Sequence, residues 1–154
     1  MKHLARFIAT GAYSGYFPLV PGTFGTIPAW VIAWFFLGNK YMLLAAAIVA
    51  FVLSVWSSGH CEKDLGHDSK KIVIDEWAGM FVSLLFLPYR LDVYIAAFLF
   101  FRFYDVIKPY PAGGCESIPG GLGVTMDDIF AGIYANLTVW LCIFALTRLG
   151  WFGF

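Results

Sequence analysis

The residues of this chain best suited to chemistry are ionisable side chains that lie within or beside apolar segments. Ionisable groups are costly in such surroundings, and their usual explanation is a function that requires them. They fall into three short sets that are well separated along the chain. The sets are Asp75 with Glu76, then Arg102 with Asp105 and Lys108, then Asp127 with Asp128.

The second set is spaced so that its members share one side of a helix. Residues three apart on a helix are neighbours, so Asp105 is expected between Arg102 and Lys108 along one stripe. Pro109 follows and favours the end of the helix at that point. The stripe would place two cations beside a carboxylate, although a structural ion pair that neutralises Arg102 explains the same spacing.

The two acidic pairs have similar surroundings in the sequence. Ala-Gly at residues 78–79 follows the first pair, and Ala-Gly at residues 131–132 follows the second. Small residues let helices approach closely, so each pair is predicted to lie at the start of a tightly packed helix. Acids at a helix start are also ordinary caps that complement the helix dipole. Capping explains one such pair well, whereas two pairs indicate a further role.

Together the three sets predict phosphoryl chemistry with a divalent cation. Four carboxylates in one place repel one another unless a cation holds them. Oxygen ligands without a histidine or cysteine cluster suit Mg²⁺, which commonly works beside a phosphate. Arg102 and Lys108 would supply positive charge for phosphate oxygens. The predicted Mg²⁺ ligands are Asp75, Glu76, Asp127 and Asp128.

Three further residues are candidates for contact with the substrate. The hydroxyls of Thr23 and Thr26, with backbone amides around Gly22 and Gly25, could donate hydrogen bonds to a phosphate. His67 lies in a polar segment and could act as a general base or bind a lipid headgroup. A solvated loop histidine is the simpler interpretation of His67.

The composition places these residues in a membrane protein. The chain has 154 residues, of which 60% are hydrophobic and 13% are charged, and its mean hydropathy is +0.76. A soluble domain carries roughly 25% charged residues, about twice this share. The net charge of zero gives no sign of a nucleic-acid partner. Three scattered cysteines argue against a disulfide framework or a zinc site, and the length suits one domain over residues 1–154.

The hydropathy pattern predicts an all-α fold, a polytopic membrane helix bundle with about five spanning or partly spanning helices. Residues 4–17 would form a short N-terminal interfacial helix, which residues 18–26 interrupt. Residues 108–127 would form a Gly/Pro-rich loop, so that the last helix begins at Asp128. Only this last helix approaches the roughly 20 residues that cross a bilayer unaided. The predicted spans are residues 27–37, 41–56, 72–87, 93–107 and 128–147.

Five spans and a cytoplasmic N-terminus would place the acidic site at the cytoplasmic face. Every acid except Asp92 would lie on or near that face. The basic residues follow the positive-inside rule modestly. Those predicted inside are Lys63, Lys70, Lys71 and Lys108, and those predicted outside are Lys40, Arg90 and Arg148.

Four motifs in the chain, PGTFGT, IVIDEWAGM, FRFYDVIKPYP and GGLGVTMDDIFAG, resemble those of the phosphatidylglycerophosphatase A family in type and order. The resemblance covers roughly residues 10–140. It implies a Mg²⁺-dependent, multi-pass enzyme of the bacterial inner membrane with its active site on the cytoplasmic face. Such an enzyme removes the terminal phosphate of a phospholipid substrate, phosphatidylglycerophosphate, and gives phosphatidylglycerol, the last step of that lipid's synthesis.

The resemblance also implies roles for individual residues. The family's acidic motif positions match Asp75, Glu76, Asp105, Asp127 and Asp128, which are therefore the expected catalytic residues. Its basic positions match Arg102 and Lys108, and its threonine-containing segment matches Thr23 and Thr26, as expected substrate contacts.

Two alternatives stay open from the sequence. Water could attack the phosphate directly, or an aspartate could form an aspartyl-phosphate intermediate. In a different class, the same acidic cluster could belong to an ion-conducting or transport protein. Transporters, however, place their charged sites near the bilayer midplane, whereas these acids are predicted at one face.

Overall fold

The computed structural model describes residues 2–17, 20–65, 69, 71–115 and 118–151. The regular secondary structure of these residues is helical, which confirms the all-α prediction. The elements in chain order are α1 (Lys2–Ala9), a 3₁₀ turn (Ser14–Tyr16), α2 (Pro21–Phe35), α3 (Lys40–Leu65), α4 (Ile74–Leu84), α5 (Leu91–Ile107), α6 (Ala112–Cys115) and α7 (Gly121–Arg148).

Two of these helices are long and apolar enough to cross a membrane. They are the segment Lys40–Cys61 of α3 and the whole of α7, Gly121–Arg148. At 1.5 Å per residue, α7 is about 42 Å long and exceeds the ~30 Å hydrocarbon core of a bilayer. Helices α2 and α5 are shorter, with 15 and 17 residues. The arrangement with about five spans is not confirmed and stays a prediction.

Helix α4 is short and is mostly buried inside the protein. It has only 11 residues, and eight of them are buried, among them Ala78, Met80 and Leu84. It packs against α2, α3, α5 and α7. Burial in protein and burial in lipid select the same residue types, so hydropathy alone marks this segment as a span.

The close crossing of α4 and α7 depends on two glycines. A Cβ atom on Gly79 would lie 2.5 Å from the carbonyl oxygen of Asp128, and one on Gly132 would collide with the carbonyl oxygen of Gly79. The predicted role of these small residues in close helix packing is therefore observed. Each glycine follows an acid by four residues, Asp75 on α4 and Asp128 on α7. The crossing thus draws the two acidic pairs toward each other.

The far end of α4 is held by a side chain of α7. The amide nitrogen of Asn136 donates hydrogen bonds to the carbonyl oxygens of Ser83 at 3.0 Å and Leu85 at 2.8 Å. The last carbonyls of a helix lack partners within it, so this amide replaces water there. Both ends of the α4–α7 contact are therefore defined by specific interactions.

Two helices begin earlier than their glycine-rich sequences suggest. Helix α7 begins at Gly121 and not at Asp128, and α2 begins at Pro21 and not after Thr26, so both predicted boundaries are wrong. Proline suits the first turn of a helix, where its missing N–H is not needed. A Cβ on Gly121 would collide with the carbonyl oxygen of Val55 in α3, so this glycine serves helix packing. Tertiary contact outweighs the low helix propensity of glycine.

Two other predicted segments also differ from the structure. The predicted loop over residues 108–127 contains α6 and the first turns of α7. The N-terminal helix ends at Ala9, before the predicted limit at residue 17, and a 3₁₀ turn follows. Its buried Ala5 and Ala9 pack beside α3, while Leu4 is exposed. An interfacial position of α1 stays a prediction.

Candidate active site

One cavity of about 380 Å³ collects the charged residues identified in the sequence. It lies where α2 and α4 begin, α5 ends and α7 completes its second turn. Three separate segments of the chain therefore contribute charged side chains to one space. The charged lining residues are Asp75, Glu76, Arg102, Asp105, Lys108, Asp127 and Asp128.

The two acidic pairs have the same local geometry. Asp75 Oδ1 accepts a hydrogen bond from the backbone amide of Glu76 at 2.8 Å. Asp127 Oδ1 accepts one from the amide of Asp128, also at 2.8 Å. In each pair, the first carboxylate is thus oriented by the backbone of the second residue.

The pairs differ in their position along the helix. Asp75 lies in the first turn of α4, where backbone amides have no partner within the helix, so its carboxylate gives the Glu76 amide an acceptor that the helix lacks. Asp127 is the seventh residue of α7, well inside that helix. Capping therefore accounts for the first pair in part and does not account for the second.

Arg102 connects α5 to α2 and α4. Its Nη1 lies 2.6 Å from Asp105 Oδ2 on the same helix and 3.0 Å from Glu76 Oε2 on α4. The same nitrogen donates a 3.4 Å hydrogen bond to the hydroxyl of Thr26, which itself contacts Glu76 Oε2. These side chains are largely buried, so the guanidinium is held between two carboxylates in a defined orientation.

Lys108 terminates α5 and reaches across to α7. Its backbone adopts a left-handed conformation, with φ 48° and ψ 58°, which ends the helix. Its Nζ atom lies 2.7 Å from Asp127 Oδ2. Each acidic pair therefore contacts a basic side chain, Glu76 with Arg102 and Asp127 with Lys108.

The absence of a side chain at Gly22 lets α2 approach this cluster. A Cβ atom there would lie 2.5 Å from Glu76 Oε1 and 2.6 Å from Arg102 Nη2. Gly22 itself lines the cavity. The sequence pointed to this glycine as an amide donor, and the structure adds a steric reason for it.

The cavity contains more negative than positive groups, with five carboxylates and two basic side chains in its lining. Asp75 and Asp128 are each only 4% exposed. Asp128 Oδ1 is buried and has no hydrogen-bond partner among the residues that the structure describes. A buried carboxylate oxygen without a partner is costly, so this lining is suited to receive a cation.

The carboxylates of the cavity suit the coordination that Mg²⁺ prefers. Within the described residues, no three histidine, cysteine, aspartate or glutamate side chains form a ready-made metal site. Mg²⁺ does not require one, because it commonly uses one or two carboxylates, several waters and substrate phosphates. Asp75 and Asp128 fit that requirement, since Glu76 and Asp127 each contact a basic side chain. The set of four carboxylate ligands stays a prediction.

The two threonines of α2 and His67 were predicted outside the main ionisable sets. Thr23 is half-buried on the first turn of α2 and is not among the residues that line the cavity, and its contact with substrate stays a prediction. Thr26 contacts Glu76 and Arg102, one turn further along the same helix. The predicted accessory residue His67 lies outside the described residues.

Sequence reasoning also missed part of the lining. Ser69 lines the cavity, as do Val20 and Val106. Ser69 lies in a polar segment that offers many equivalent candidates, and only its closeness to Asp75 in the chain could have indicated it. The two valines carry no chemical signal, because they supply apolar wall and no reactive group.

Comparison with known proteins extends this description. The sequence profile of the family described as phosphatidylglycerophosphatase A matches residues 7–143. A protein of Escherichia coli named phosphatidylglycerophosphatase A is 36% identical over 139 residues, which cover 86% of this chain and 80% of that protein. A Haemophilus influenzae protein of the same name is 36% identical over 140 residues, 87% of this chain and 85% of its own length.

A third relative carries a different name at the same level of identity. A Bacteroides thetaiotaomicron protein, provisionally named a phosphatidylinositol-3-phosphatase, is 36% identical over 145 residues, 88% of this chain and 91% of that protein. No solved structure matches the chain. The three names share the hydrolysis of a phosphate from a phospholipid headgroup and differ in the headgroup.

Proposed function

Because the chain belongs to the phosphatidylglycerophosphatase A family, a family of phosphatases, we propose that it removes the terminal phosphate of phosphatidylglycerophosphate in a Mg²⁺-dependent reaction. The main observation in support of the proposal is that five carboxylates and two basic side chains line the same cavity. This inventory suits a phosphate monoester and a divalent cation. The products would be phosphatidylglycerol and inorganic phosphate.

Arg102 and Lys108 are the proposed phosphate-binding groups. Both line the cavity, and both are oriented by carboxylates, Arg102 by Glu76 and Asp105 and Lys108 by Asp127. Negative charge on the transferring phosphoryl group is offset by such preorganised cations. Glu76, Asp105 and Asp127 would act in part by holding these two cations in place.

Asp75 and Asp128 are the proposed principal ligands of Mg²⁺, and Glu76 and Asp127 complete the predicted set. When bound, the ion would supply Lewis-acid polarisation of a phosphate oxygen and activation of a water molecule. Asp128 Oδ1, which is buried and has no hydrogen-bond partner in the part of the chain that the structure describes, supports this assignment, as does the excess of negative charge in the cavity.

The proposed reaction is direct hydrolysis. The oxygen of a water molecule bonds to phosphorus, the ester bond between phosphorus and the glycerol oxygen breaks, and that oxygen takes a proton. The rival route passes through an aspartyl phosphate on one of the cavity aspartates. Borohydride trapping during turnover distinguishes the two, because it converts an aspartyl phosphate to homoserine. Homoserine at any of these positions would overturn direct hydrolysis.

The main experiment is a phosphate-release assay with purified protein in detergent micelles. We expect release from phosphatidylglycerophosphate with Mg²⁺ and none after chelation, with activity restored when Mg²⁺ is returned. Absence of release with Mg²⁺ present would overturn the proposal. Asp92→Asn is the matched control for acid substitutions, because Asp92 is exposed and pairs with Arg90 at the opposite end of α5.

Phosphatidylinositol 3-phosphate is the second candidate substrate, since a relative provisionally named for it is as similar to this chain as the other two. Both lipids carry a phosphate monoester on a polyol headgroup. The same assay should give a higher kcat/KM for phosphatidylglycerophosphate. The reverse order would replace the proposed substrate and leave the lipid phosphatase class intact.

We also propose a location for the site, at the cytoplasmic face of a bacterial inner membrane. The cavity lies where several helices begin or end, which supports a position near one membrane surface. This placement also disfavours the transport alternative, whose site would lie near the midplane. Labelling of Ser69→Cys by a membrane-impermeant maleimide tests the side. Labelling in inverted vesicles and not in intact spheroplasts is the expected result.

A further inference from the structure

A second cavity lies on the outer surface between α2 and α5. It has a volume of about 230 Å³ and is lined by Ile27, Trp30 and Val31 of α2 and by Ile95 and Phe98 of α5. Ile27, Val31 and Ile95 are between 38% and 44% exposed, so the cavity is an open groove. All five lining residues are apolar or aromatic. We call this feature the α2–α5 groove.

The groove continues the charged cavity along the same two helices. On α5, Ile95, Phe98 and Arg102 are three and four residues apart and share one face. Phe98 lines the groove and Arg102 lines the charged cavity, about 6 Å further along the helix axis. At the start of α2, Pro21 and Gly22 line the charged cavity, and Ile27 lines the groove further along the same helix.

Polar contacts tie the two helices together above and below the groove. At the charged end, Arg102 of α5 contacts Thr26 of α2. At the other end, the indole nitrogen of Trp30 donates a 2.9 Å hydrogen bond to the carbonyl oxygen of Tyr94. Helix α2 packs mainly on α4 and much less on α5. Helices α2 and α5 are therefore joined by a polar contact at each end of the groove, and the groove lies between these two contacts.

We propose that the α2–α5 groove binds one acyl chain of the phospholipid whose phosphate is hydrolysed in the charged cavity, an inference that rests on the proposed function. A phospholipid joins its phosphate to its acyl chains through a short glycerol unit. The chains cannot enter a cavity lined by seven charged side chains. The groove begins about one helical turn from Arg102, it is wholly apolar, and it opens sideways, where a lipid can enter from the bilayer.

This proposal separates the reacting lipid from lipid that merely surrounds the protein. Other apolar side chains also lie exposed, for example Val52 on α3, which is 58% exposed. A chain in contact with α3 has no continuity with the charged cavity. Only the chain in the groove would contribute to the alignment of the phosphate beside Arg102.

The kinetic test fills the groove and compares substrates of different chain length. Val31→Trp is the test variant, Val52→Trp is the matched control, and Ile95→Trp fills the groove from the opposite wall. Each variant is assayed in dodecyl maltoside micelles with dioleoyl and dihexanoyl phosphatidylglycerophosphate. The readout is the ratio of kcat/KM for the long-chain substrate to that for the short-chain substrate, so a general loss of folded protein cancels.

We expect Val31→Trp and Ile95→Trp to lower this ratio about tenfold, because loss of apolar contacts with a substrate costs at least that much. Val52→Trp should leave the ratio unchanged. If both groove variants are active and their ratio is unchanged, the inference is wrong, whereas the proposed phosphatase function still holds. If the unmodified protein hydrolyses neither substrate, the proposed function fails first and the inference falls with it.

Photolabelling supplies a second measurement that does not depend on turnover. The probe is phosphatidylglycerophosphate with a diazirine in the middle of one acyl chain, added to the Asp128→Asn variant in micelles. We expect labelling at residues 27–31 or 95–98. Unlabelled phosphatidylglycerophosphate should compete with this labelling, and phosphatidylcholine should not. Label spread evenly over α2, α3 and α5, or equal displacement by both lipids, would mean surrounding lipid only and would overturn the inference.

Discussion

The acidic pairs on α4 and α7 are alike in sequence, but they differ in their position along the helix and in the partners of their carboxylates. Each is followed by an Ala-Gly dipeptide, and in each the backbone amide of the second acid donates a hydrogen bond to the carboxylate of the first. Each pair also contacts a basic side chain. The α4 pair lies at a helix start, where carboxylates cap free amides. The α7 pair lies two turns inside a helix, and Asp128 Oδ1 is buried without a partner among the described residues.

The two pairs therefore differ in how far their interactions stabilise the folded protein. Asp75 and Glu76 have interactions that also stabilise the folded protein, through a cap and through the ion pair with Arg102. Asp128 Oδ1 has no hydrogen-bond partner among the described residues, so this acid is the one whose proposed role as a metal ligand adds most to what the fold explains. Substitutions in the two pairs should therefore separate activity from stability.

The largest expected effect is that of Asp128→Asn. An ion at this site would contribute several kcal/mol to transition-state stabilisation, so we expect kcat to fall roughly a thousandfold. The variant should be as stable as the parent or more stable, because asparagine removes a buried negative charge whose Oδ1 atom has no hydrogen-bond partner among the described residues. Phosphate release and thermal unfolding in detergent measure the two effects. Near-normal kcat would contradict the assignment of Asp128 to the metal.

Glu76→Gln should lower both activity and stability. Glutamine cannot balance the charge of Arg102, which is left with Asp105 alone among the carboxylates it contacts at this site. We expect a loss of about 10- to 100-fold in kcat/KM, typical for a residue that orients a functional group. The free energy of unfolding should fall by about 1–3 kcal/mol. A variant with unchanged stability would remove the proposed contrast between the two pairs.

Lys108→Ala should act mainly on substrate binding. Its ammonium group contacts Asp127 and lines the cavity, where it is available to a phosphate oxygen. A charge-assisted hydrogen bond contributes about 1.5–3 kcal/mol, so KM should rise about tenfold or more. Initial rates over a range of lipid mole fractions test this. An unchanged dependence on lipid concentration would count against a phosphate contact.

The smallest expected effect distinguishes the two threonines of α2. Thr26→Ala removes a hydroxyl that contacts Glu76 and Arg102, at a cost of about 1 kcal/mol, so kcat/KM should fall a few-fold. Thr23→Ala should have a smaller effect, because Thr23 does not line the cavity. A larger loss from Thr23→Ala would support the sequence-based expectation over the observed geometry.

Much of the candidate site could be predicted from residue type and spacing. Arg102 and Asp105 form the ion pair that their three-residue spacing predicts, and the glycines after each acidic pair allow the close crossing of α4 and α7. These features depend on local geometry, which a sequence encodes directly. The helix starts could not be predicted in the same way. Glycine-rich segments have a low intrinsic helix propensity, and the packing contacts that overcome it are not visible in the sequence.

The number of membrane spans shows the same limit. Hydropathy marks residues 72–87 as a span, yet α4 has 11 residues and most of them are buried against other helices. Protein interior and lipid both favour apolar side chains, so composition cannot separate them. Only α3 and α7 meet the length required to cross a bilayer, among the helices that the structure describes.

Three features follow from the amino-acid sequence alone. They are a largely apolar helical chain, three sets of ionisable residues, and functional groups of the types that suit a phosphate and a divalent cation. The tertiary structure decided the partners of each charge. It joined Glu76 to Arg102 and Asp127 to Lys108, and it left Asp128 Oδ1 buried without a partner in the described region. Residue type and local spacing are properties of the chain, whereas a contact between α4, α5 and α7 depends on how separate helices pack.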